Sequence, residues 1–288
     1  MSIDVDAVGR SAGPVSVAWD SRDAMLYALG VGAGAENPLE ELSLTTENTA
    51  GVDQEILPTY AIVLAQRTDE LSIPFGDFNP SKLVHAQQEL SLHRPLTVEG
   101  EVSLTSSISS IWDKGSGALV TIETRGTVPD TEEHWFTSTA SVFIMGEGGF
   151  GGERGPSASS NIPDRPCDVQ EIVSTRPDQA LLYRLSGDRN PLHTDPEFAA
   201  NGGFPRPILH GMCTYGVTAR AVLRAFDVSP SSLQGISGRF SKPVYPGEDL
   251  TISMWQEADG LRFQTQDSQG DTVLDQGILR TTGDETSL

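Results

Sequence analysis

An acid and an imidazole stand five residues apart in the most informative segment of the chain, Asp188 and His193, with an amide at Asn190 between them. On a regular helix, residues five apart point about 140° away from each other, at about 100° per residue. Gly187 and Pro191 argue against a helix here, because proline disfavours helical geometry at the residue before it. A tight turn can instead bring both side chains to one water, which they would activate by general acid–base catalysis.

The same residues also have a purely structural interpretation. Gly-Asp and Asn-Pro pairs are common turn formers, and an Asp or His beside them often caps a helix or bonds a backbone group. Spacing alone therefore leaves two alternatives open for Asp188 and His193, namely catalysis and turn formation.

A second candidate for chemistry is Gly211, which opens a long predicted helix at residues 211–226. Free amides at a helix start can bind a developing oxyanion, and a glycine lets a substrate carbonyl approach closely. Ordinary helix-start packing is the alternative. Between Arg184 and Lys242 basic residues outnumber acidic ones, which favours an anionic ligand there, with solvated helix faces as the alternative.

The elements that must position these residues follow from periodicity. Helices are predicted at residues 22–31, 175–186 and 211–226, the first capped by Asp20. The buried face of this first helix is expected to comprise Met25, Leu26 and Leu29. Alternating apolar and polar residues predict antiparallel strands at residues 101–111, 118–127, 134–145, 249–257, 261–266 and 272–281.

A glycine-rich segment divides the chain near its middle. Because no helical or strand period survives in it, we predict a flexible linker at residues 151–166. It would separate an N-terminal unit at residues 1–150 from a C-terminal unit at residues 167–288.

The two halves share a faint repeat. Leu83-Val84-His85 is similar to Ile208-Leu209-His210, but Pro95 follows the first histidine after 10 residues and Pro243 follows the second after 33. We interpret this as a duplicated α+β unit whose first copy has lost its long helix, with chance similarity as the alternative.

Composition excludes several classes of protein. The chain carries 40 acidic and 19 basic residues, a net charge of -21, so it is not expected to bind nucleic acid or an anionic membrane. No apolar run reaches the roughly 18 residues of a membrane span, and no signal core opens the chain. Cys167 and Cys213 lack metal or redox spacing, so we expect two thiols and a cytoplasmic location.

The run from Tyr183 to Ala199 resembles the hydratase 2 motif of MaoC-like and type 2 enoyl-CoA hydratases. The matching residues are Tyr183, Gly187-Asp188, Asn190-Pro191-Leu192-His193 and Ala199. The resemblance extends to Tyr27-Ala28-Leu29-Gly30-Val31-Gly32, Leu83-Val84-His85, Asp113-Lys114-Gly115-Ser116-Gly117, Ile208-Leu209-His210-Gly211, Arg239-Phe240 and Pro243-Val244-Tyr245-Pro246-Gly247. It therefore covers nearly the whole chain.

This resemblance implies a double hotdog fold of the α+β class. In it, two antiparallel sheets each wrap a helix, and the central helix of the N-terminal unit is reduced. The N-terminal unit would bind the acyl chain and CoA, and the C-terminal unit would be catalytic.

The implied activity is the reversible hydration of trans-2-enoyl-CoA to (3R)-3-hydroxyacyl-CoA in fatty acid metabolism, including beta-oxidation. The resemblance also implies a homodimer without cofactor or metal, whose partners are enoyl-CoA or 3-hydroxyacyl-CoA. The alternatives are a (3R)-hydroxyacyl-thioester dehydratase of lipid synthesis, a hotdog acyl-CoA thioesterase, and a non-catalytic acyl-thioester binding protein.

The same resemblance assigns roles to individual residues. Asp188 and His193 would carry the acid–base work, Asn190 would support them, and the Gly211 amide would face the thioester oxygen. Substrate contacts are expected from His85, Ala86, Lys114, Arg189, Pro191, Leu192 and Phe240. One departure is that the chain reads His-Ala-Gln-Gln from His85 where the family often reads His-Gly-Glu-Gln, so the Ala86 methyl weakens the assignment of CoA and acyl contacts there.

Overall fold

A computed structural model describes residues 2–131, 133–156 and 161–282. The described residues form strands and α-helices together with single turns of 3-10 helix. The strands are β1 (Ser2–Ile3), β2 (Ser11–Trp19), β3 (Gly76–Asp77), β4 (Leu83–Leu92), β5 (Gly100–Asp113), β6 (Gly117–Thr127), β7 (His134–Met145), β8 (Val169–Ser174), β9 (Leu233–Phe240), β10 (Asp249–Glu257), β11 (Gly260–Gln266) and β12 (Thr272–Thr281). The helices are α1 (Ser21–Gly30), α2 (Leu42–Thr45), α3 (Tyr60–Leu64), α4 (Gln179–Tyr183), α5 (Pro196–Asn201) and α6 (Gly211–Ala225).

Ten strands form one continuous sheet in the order β2-β5-β6-β7-β4-β9-β12-β11-β10-β8, and every neighbouring pair is antiparallel. Each half repeats one arrangement: its first strand is at the outer edge, followed by its third, fourth and fifth strands, and its second strand is at the centre. The central strands β4 and β9 pair with Leu90 opposite Ile236. The two predicted sheets are therefore the two halves of a single sheet, and their shared order agrees with a duplicated unit.

Helix α6 is the central helix of the C-terminal half, and it is buried from Met212 to Leu223. It contacts β8, β9, β10 and β12. The corresponding half on the N-terminal side has only the short buried helix α3, which contacts β7. This is the double hotdog fold expected from the sequence, with a reduced N-terminal helix. Within the described residues, no helix has the length and apolar character needed to cross a membrane.

Helix α1 begins at its predicted cap, Asp20, but it buries a different face. The prediction that Met25, Leu26 and Leu29 form the buried face is wrong, since Leu29 is 41% exposed. The buried residues are Ala24, Tyr27, Ala28 and Gly30. Small residues on this face permit close packing: a Cβ on Gly30 would lie 3.3 Å from the Cα of Tyr183.

The predicted strands correspond to β5, β6, β7, β10, β11 and β12. Four strands of the main sheet, β2, β4, β8 and β9, were not predicted from the sequence, and they form its edges and its centre. The helix predicted at residues 175–186 is shorter, because α4 covers Gln179–Tyr183 and a turn of 3-10 helix, Arg184–Ser186, follows it.

The glycine-rich segment after β7 packs against the loop between β5 and β6. The carboxylate of Asp113 accepts hydrogen bonds from the amides of Gly149 and Gly151, at 2.8 and 2.9 Å. The start of the segment is thus fixed to the N-terminal half. The linker at residues 151–166 and the unit boundaries stay a prediction, and residues 157–160 lie outside the described residues.

Candidate active site

The loop between α4 and α5 is folded by two side-chain hydrogen bonds. Oδ1 of Asp188 accepts the amide hydrogen of Asn190 at 3.1 Å, and Oδ1 of Asn190 accepts that of Leu192 at 3.0 Å. Each bond spans two residues, which is the pattern of an Asx turn. Pro191 then opens a turn of 3-10 helix that ends at His193. The segment is therefore a tight turn, as the sequence predicts.

This loop brings the acid and the imidazole together. A carboxylate oxygen of Asp188 and a ring nitrogen of His193 lie within 4.8 Å of each other. Two hydrogen bonds of about 2.8 Å that meet at a tetrahedral angle span about 4.5 Å, so one water fits between the two groups. Oδ2 of Asp188 accepts no hydrogen bond from the described part of the chain, which leaves it available to that water.

The hydrogen bonding of His193 determines its tautomer. Its Nδ1 lies 2.9 Å from the carbonyl oxygen of Ile208. A carbonyl only accepts, so Nδ1 carries the proton and Nε2 keeps its lone pair. Burial lowers the pKa of His193 below its ordinary 6.5, against the attraction of Asp188 and the bond to Ile208. At neutral pH the ring is therefore neutral, with Nε2 able to accept a proton.

Gly211 is the first residue of α6 and borders the same space. No carbonyl of a preceding helical turn is in place to accept from its amide. Gly211 lines the cavity that Asp188 and His193 also line. A Cβ at this position would lie 3.3 Å from the Phe240 ring, so a glycine keeps the approach to the amide open. A free amide at such a helix start is able to stabilise a developing oxyanion.

A cavity of about 780 Å³ connects these groups with the N-terminal half. On that side it is lined by the start of β4 and by Leu119, Phe143 and Met145 of β6 and β7. On the C-terminal side it is lined by the Asp188–His193 loop, the start of α6 and the end of β9. Pockets of this size and apolar character accommodate organic ligands.

The cavity brings together nine of the eleven predicted site residues. They are His85, Ala86, Lys114, Asp188, Asn190, Leu192, His193, Gly211 and Phe240. Arg189 and Pro191 are the exceptions, because both are exposed and neither lines the cavity. Their predicted substrate contacts are therefore not supported by this arrangement.

His85 and Lys114 lie on the N-terminal side of the cavity. The His85 ring packs edge-on against Phe240, with centroids 5.2 Å apart, and burial lowers its pKa against the attraction of Asp188. Nζ of Lys114 donates to the carbonyl of Pro156 at 3.0 Å, so this lysine also holds the segment after β7. Both residues thus line the cavity and also pack against or bind other parts of its wall.

Sequence reasoning missed several residues of the wall. Arg239 lines the cavity and its side chain forms no hydrogen bond or ion pair with the described residues, whereas Lys242 pairs with Asp271 at 2.7 Å. Phe143 and Met145 also line it. Their alternation along β7 is visible in the sequence, but it does not indicate which face of the strand borders a cavity.

Three side chains bring potential metal ligands close together. Asp188, His193 and His210 each place one such atom within 4.8 Å of the other two. The two imidazoles, however, stack with centroids 3.7 Å apart and planes 30° apart. A nitrogen lone pair lies in the plane of its ring, so stacked rings do not direct their lone pairs at one ion. We assign no metal ligands, and the expectation of a metal-free and cofactor-free site stays a prediction.

Comparison with known families divides the chain in two. Residues 18–146 match the MFE-2 hydratase 2 N-terminal domain, and residues 158–277 match the MaoC like domain.

Individual relatives span nearly the whole chain. It is 42% identical to 3-hydroxyacyl-thioester dehydratase Y of Mycobacterium tuberculosis, over 97% of this chain and 98% of that protein. It is 44% identical to enoyl-CoA hydratase ChsH3 of the same organism, over 91% of this chain and 92% of that protein. The crystal structure of a MaoC-like dehydratase from Phytophthora capsici superposes with a TM-score of 0.84 at 31% identity, covering 98% of this chain and 99% of that one.

Proposed function

The chain belongs to the family of MaoC-like dehydratases and type 2 enoyl-CoA hydratases, and we propose that it catalyses the reversible hydration of trans-2-enoyl-CoA to (3R)-3-hydroxyacyl-CoA. As an enzyme it is a hydro-lyase. The observation that carries the proposal is the convergence of Asp188, His193 and the Gly211 amide on one cavity. In this family context, that convergence favours catalysis over turn formation.

The geometry matches what the reaction needs. The oxygen of water bonds to the β-carbon, one proton of that water passes to the Asp188–His193 pair, and the pair delivers a proton to the α-carbon. Negative charge that builds on the thioester oxygen is stabilised by the Gly211 amide. Acid–base groups placed in this way contribute about 10²–10⁴-fold, and one oxyanion donor contributes about 2.7–4 kcal/mol. The step balances without a redox cofactor or metal, so none is proposed.

The cavity wall supports a division between acyl chain and carrier. Leu119, Phe143 and Met145 would bury the acyl chain in the N-terminal half. The basic residues of the wall, Lys114, Arg239 and Lys242, would attract the anionic carrier. This assignment predicts that substrates longer than the four-carbon thioester are accepted.

Dehydration of a (3R)-3-hydroxyacyl thioester is the same reaction in reverse. The name of the mycobacterial dehydratase relative favours this direction as the second candidate. Both directions share one transition state, so they share the same catalytic residues.

We also propose a cytoplasmic homodimer acting in beta-oxidation. Cys167 and Cys213 are both free thiols, as expected in a reducing compartment.

The dimer proposal rests on three exposed leucines that lie on elements in contact with one another. They are Leu29, Leu181 and Leu185, which are 41%, 57% and 54% exposed, and such an apolar surface favours a partner that covers it. Sedimentation equilibrium tests the dimer, and a monomer at micromolar concentration contradicts it.

The deciding experiment is an absorbance assay with crotonyl-CoA and a ten-carbon enoyl-CoA, followed by chiral analysis of the product. Loss of the enoyl absorbance with formation of the 3R alcohol is expected. Release of free thiol without hydration would instead identify a thioesterase. Binding of the thioester with neither reaction would identify a binding protein.

A further inference from the structure

His210 lies where the two proposed catalytic side chains and the oxyanion amide meet, yet the proposed reaction gives it no task. It precedes Gly211 directly and is only 1% exposed. Its side chain forms no capping hydrogen bond for α6. Buried polar groups are normally hydrogen-bonded, so a buried imidazole that does not cap the helix is expected to have another partner.

One role is a hydrogen bond to the backbone of the acid. Nε2 of His210 lies 3.2 Å from the carbonyl oxygen of Asp188. Because that oxygen only accepts, Nε2 carries the proton and Nδ1 keeps its lone pair. Nδ1 is buried and has no partner within the described residues. The donated bond fixes the backbone from which the Asp188 carboxylate projects.

A second role is to pack against the imidazole. The His210 ring stacks on His193, with centroids 3.7 Å apart. The His210 ring also contacts Tyr183, with centroids 4.9 Å apart, and the Tyr183 ring contacts Tyr27 of α1, with centroids 6.1 Å apart. The four rings form an aromatic column, Tyr27–Tyr183–His210–His193, that supports the catalytic imidazole from the N-terminal half of the molecule.

His210 cannot itself exchange protons at ordinary pH. Burial lowers its pKa to about 2, neighbouring His193 and Arg184 act in the same direction, and the bond to the Asp188 carbonyl opposes them. The ring therefore stays neutral and keeps the Nε2–H tautomer throughout the working range. Its contribution is geometric.

We propose that His210 is a positioning residue for the hydration reaction: it fixes Asp188 through its Nε2–H donor and His193 through stacking, and so sets the spacing of the pair. This inference rests on the proposed function. Since misplacement of reacting groups by about 1 Å can reduce a rate about 10²-fold, the effect falls on kcat and not on substrate affinity.

Three substitutions separate the two contacts. His210→Gln keeps a donor near the Nε2 position and removes the ring, whereas His210→Phe keeps the stack and removes the donor. Each is expected to lower kcat about five- to tenfold, the scale of one hydrogen bond or one packing contact, with KM within about twofold. His210→Ala removes both and is expected to lower kcat about 100-fold. His134→Gln changes a histidine at the start of β7 that does not line the cavity, and it is the matched control with unchanged kcat.

The decisive experiment measures the effect of His210→Ala on kcat in the wild-type protein and again in the Asp188→Asn variant. A residue that acts through Asp188 should cost little more once that carboxylate is gone, whereas a merely structural residue should cost the same in both backgrounds. An equal loss in both, or a His210→Ala kcat within twofold of wild type, overturns the proposal. Wild-type turnover is measured first, so that absence of hydratase activity is recognised as failure of the proposed function itself.

A measurement on the wild-type protein tests the same proposal if the variants do not fold. With five histidines in the chain, ¹⁵N-histidine spectra are simple enough to follow each ring. His210 should hold the Nε2–H tautomer without titrating between about pH 5 and pH 9. A neutral His210 that carries its proton on Nδ1 has no Nε2–H to donate to the Asp188 carbonyl, and that result overturns the proposal.

Discussion

The two halves of the molecule have the same strand order but differ in the helix that packs on their strands. The C-terminal half contains the 15-residue helix α6, and the N-terminal half has the five-residue helix α3. In the first, the start of the helix provides the Gly211 amide and His210. In the second, β6 and β7 provide a cavity wall with Leu119, Phe143 and Met145.

The matching histidines of the repeat show the consequence. His210 directly precedes α6, makes no side-chain capping hydrogen bond to it, and is buried in the aromatic column. His85 lies within β4, borders the cavity and packs edge-on against Phe240. In the proposed roles, the same sequence position supports the reacting groups in the half with the long helix and forms part of the cavity wall in the half with the reduced helix. The comparison predicts that C-terminal changes act on kcat and N-terminal changes act on substrate selection.

The largest expected effect is in the C-terminal half. Asp188→Asn keeps the acceptor for the Asn190 amide and removes the carboxylate, and His193→Gln removes the titratable ring. Each should lower kcat about 10²–10⁴-fold, the range for loss of a general acid or base. The double variant should be little worse than the worse single one, because the two act as a unit. Steady-state kinetics with crotonyl-CoA gives these values.

The matched control for this pair is Asp195→Asn. Asp195 is an exposed carboxylate of the same segment that caps α5, a task that asparagine also performs. It should leave kcat and the melting temperature near those of wild type. A folded Asp188→Asn protein with nearly full activity would return Asp188 and His193 to the status of turn formers.

The next effect lies in the N-terminal half and concerns chain length. Leu119→Trp should fill the wall of the cavity and lower kcat/KM for a ten-carbon enoyl-CoA about tenfold. This corresponds to lost burial of two methylene groups at about 0.8 kcal/mol each. The rate with crotonyl-CoA should stay within about twofold.

Leu119→Met, which nearly conserves volume, is the control and should keep the wild-type chain-length profile. An equal loss on short and long substrates in Leu119→Trp would place the acyl chain elsewhere. Wild-type activity restricted to four carbons would exclude the acyl-binding role of the N-terminal half altogether.

Much of the fold was predictable where the sequence alternates. The strands β5, β6, β7, β10, β11 and β12 each bury one face, so their period of two is visible. The edge and central strands carry weaker signals: β4 and β9 form the junction between the two halves, and their residues border the cavity as well as the core. The buried face of α1 was misjudged because small residues pack most closely, which a ranking by hydrophobicity overlooks.

The part of the candidate site that a local turn and the family resemblance determine was predictable from the sequence. Asp188, Asn190 and Pro191 determine a local turn, so the sequence alone locates the convergence of Asp188 and His193. The tertiary neighbours are different. Arg239 and Phe143 come from other strands, and nothing local to either residue indicates that its side chain borders a cavity.

A smaller effect is expected at Lys114, which belongs to the N-terminal half. Lys114→Met keeps the apolar stem and removes the ammonium together with its bonds to the segment after β7. KM for enoyl-CoA should rise about five- to tenfold while kcat changes less than twofold, because the charge acts on binding and not on the reacting atoms. Lys114→Arg should retain most of the affinity. An unchanged KM in Lys114→Met would make Lys114 an ordinary structural lysine.

The smallest expected effect is a pH dependence that stays nearly flat where an ordinary histidine would titrate. Burial lowers the pKa of His193, and its charged and titratable neighbours are Asp188 in its own loop and His210 at the start of α6, with His85 of β4 bordering the same cavity. The active pair has His193 neutral, so kcat/KM is lost only as pH falls through this lowered pKa. It should therefore stay level from about pH 8 down to 6.5 and decline below that value. The residual rate of His193→Gln should lack this acid limb. If the acid-side decline of wild-type kcat/KM were centred above pH 6.5, His193 would be more exposed to water than the stacked arrangement allows. Burial in the C-terminal half would then not explain the reactivity of the Asp188–His193 pair.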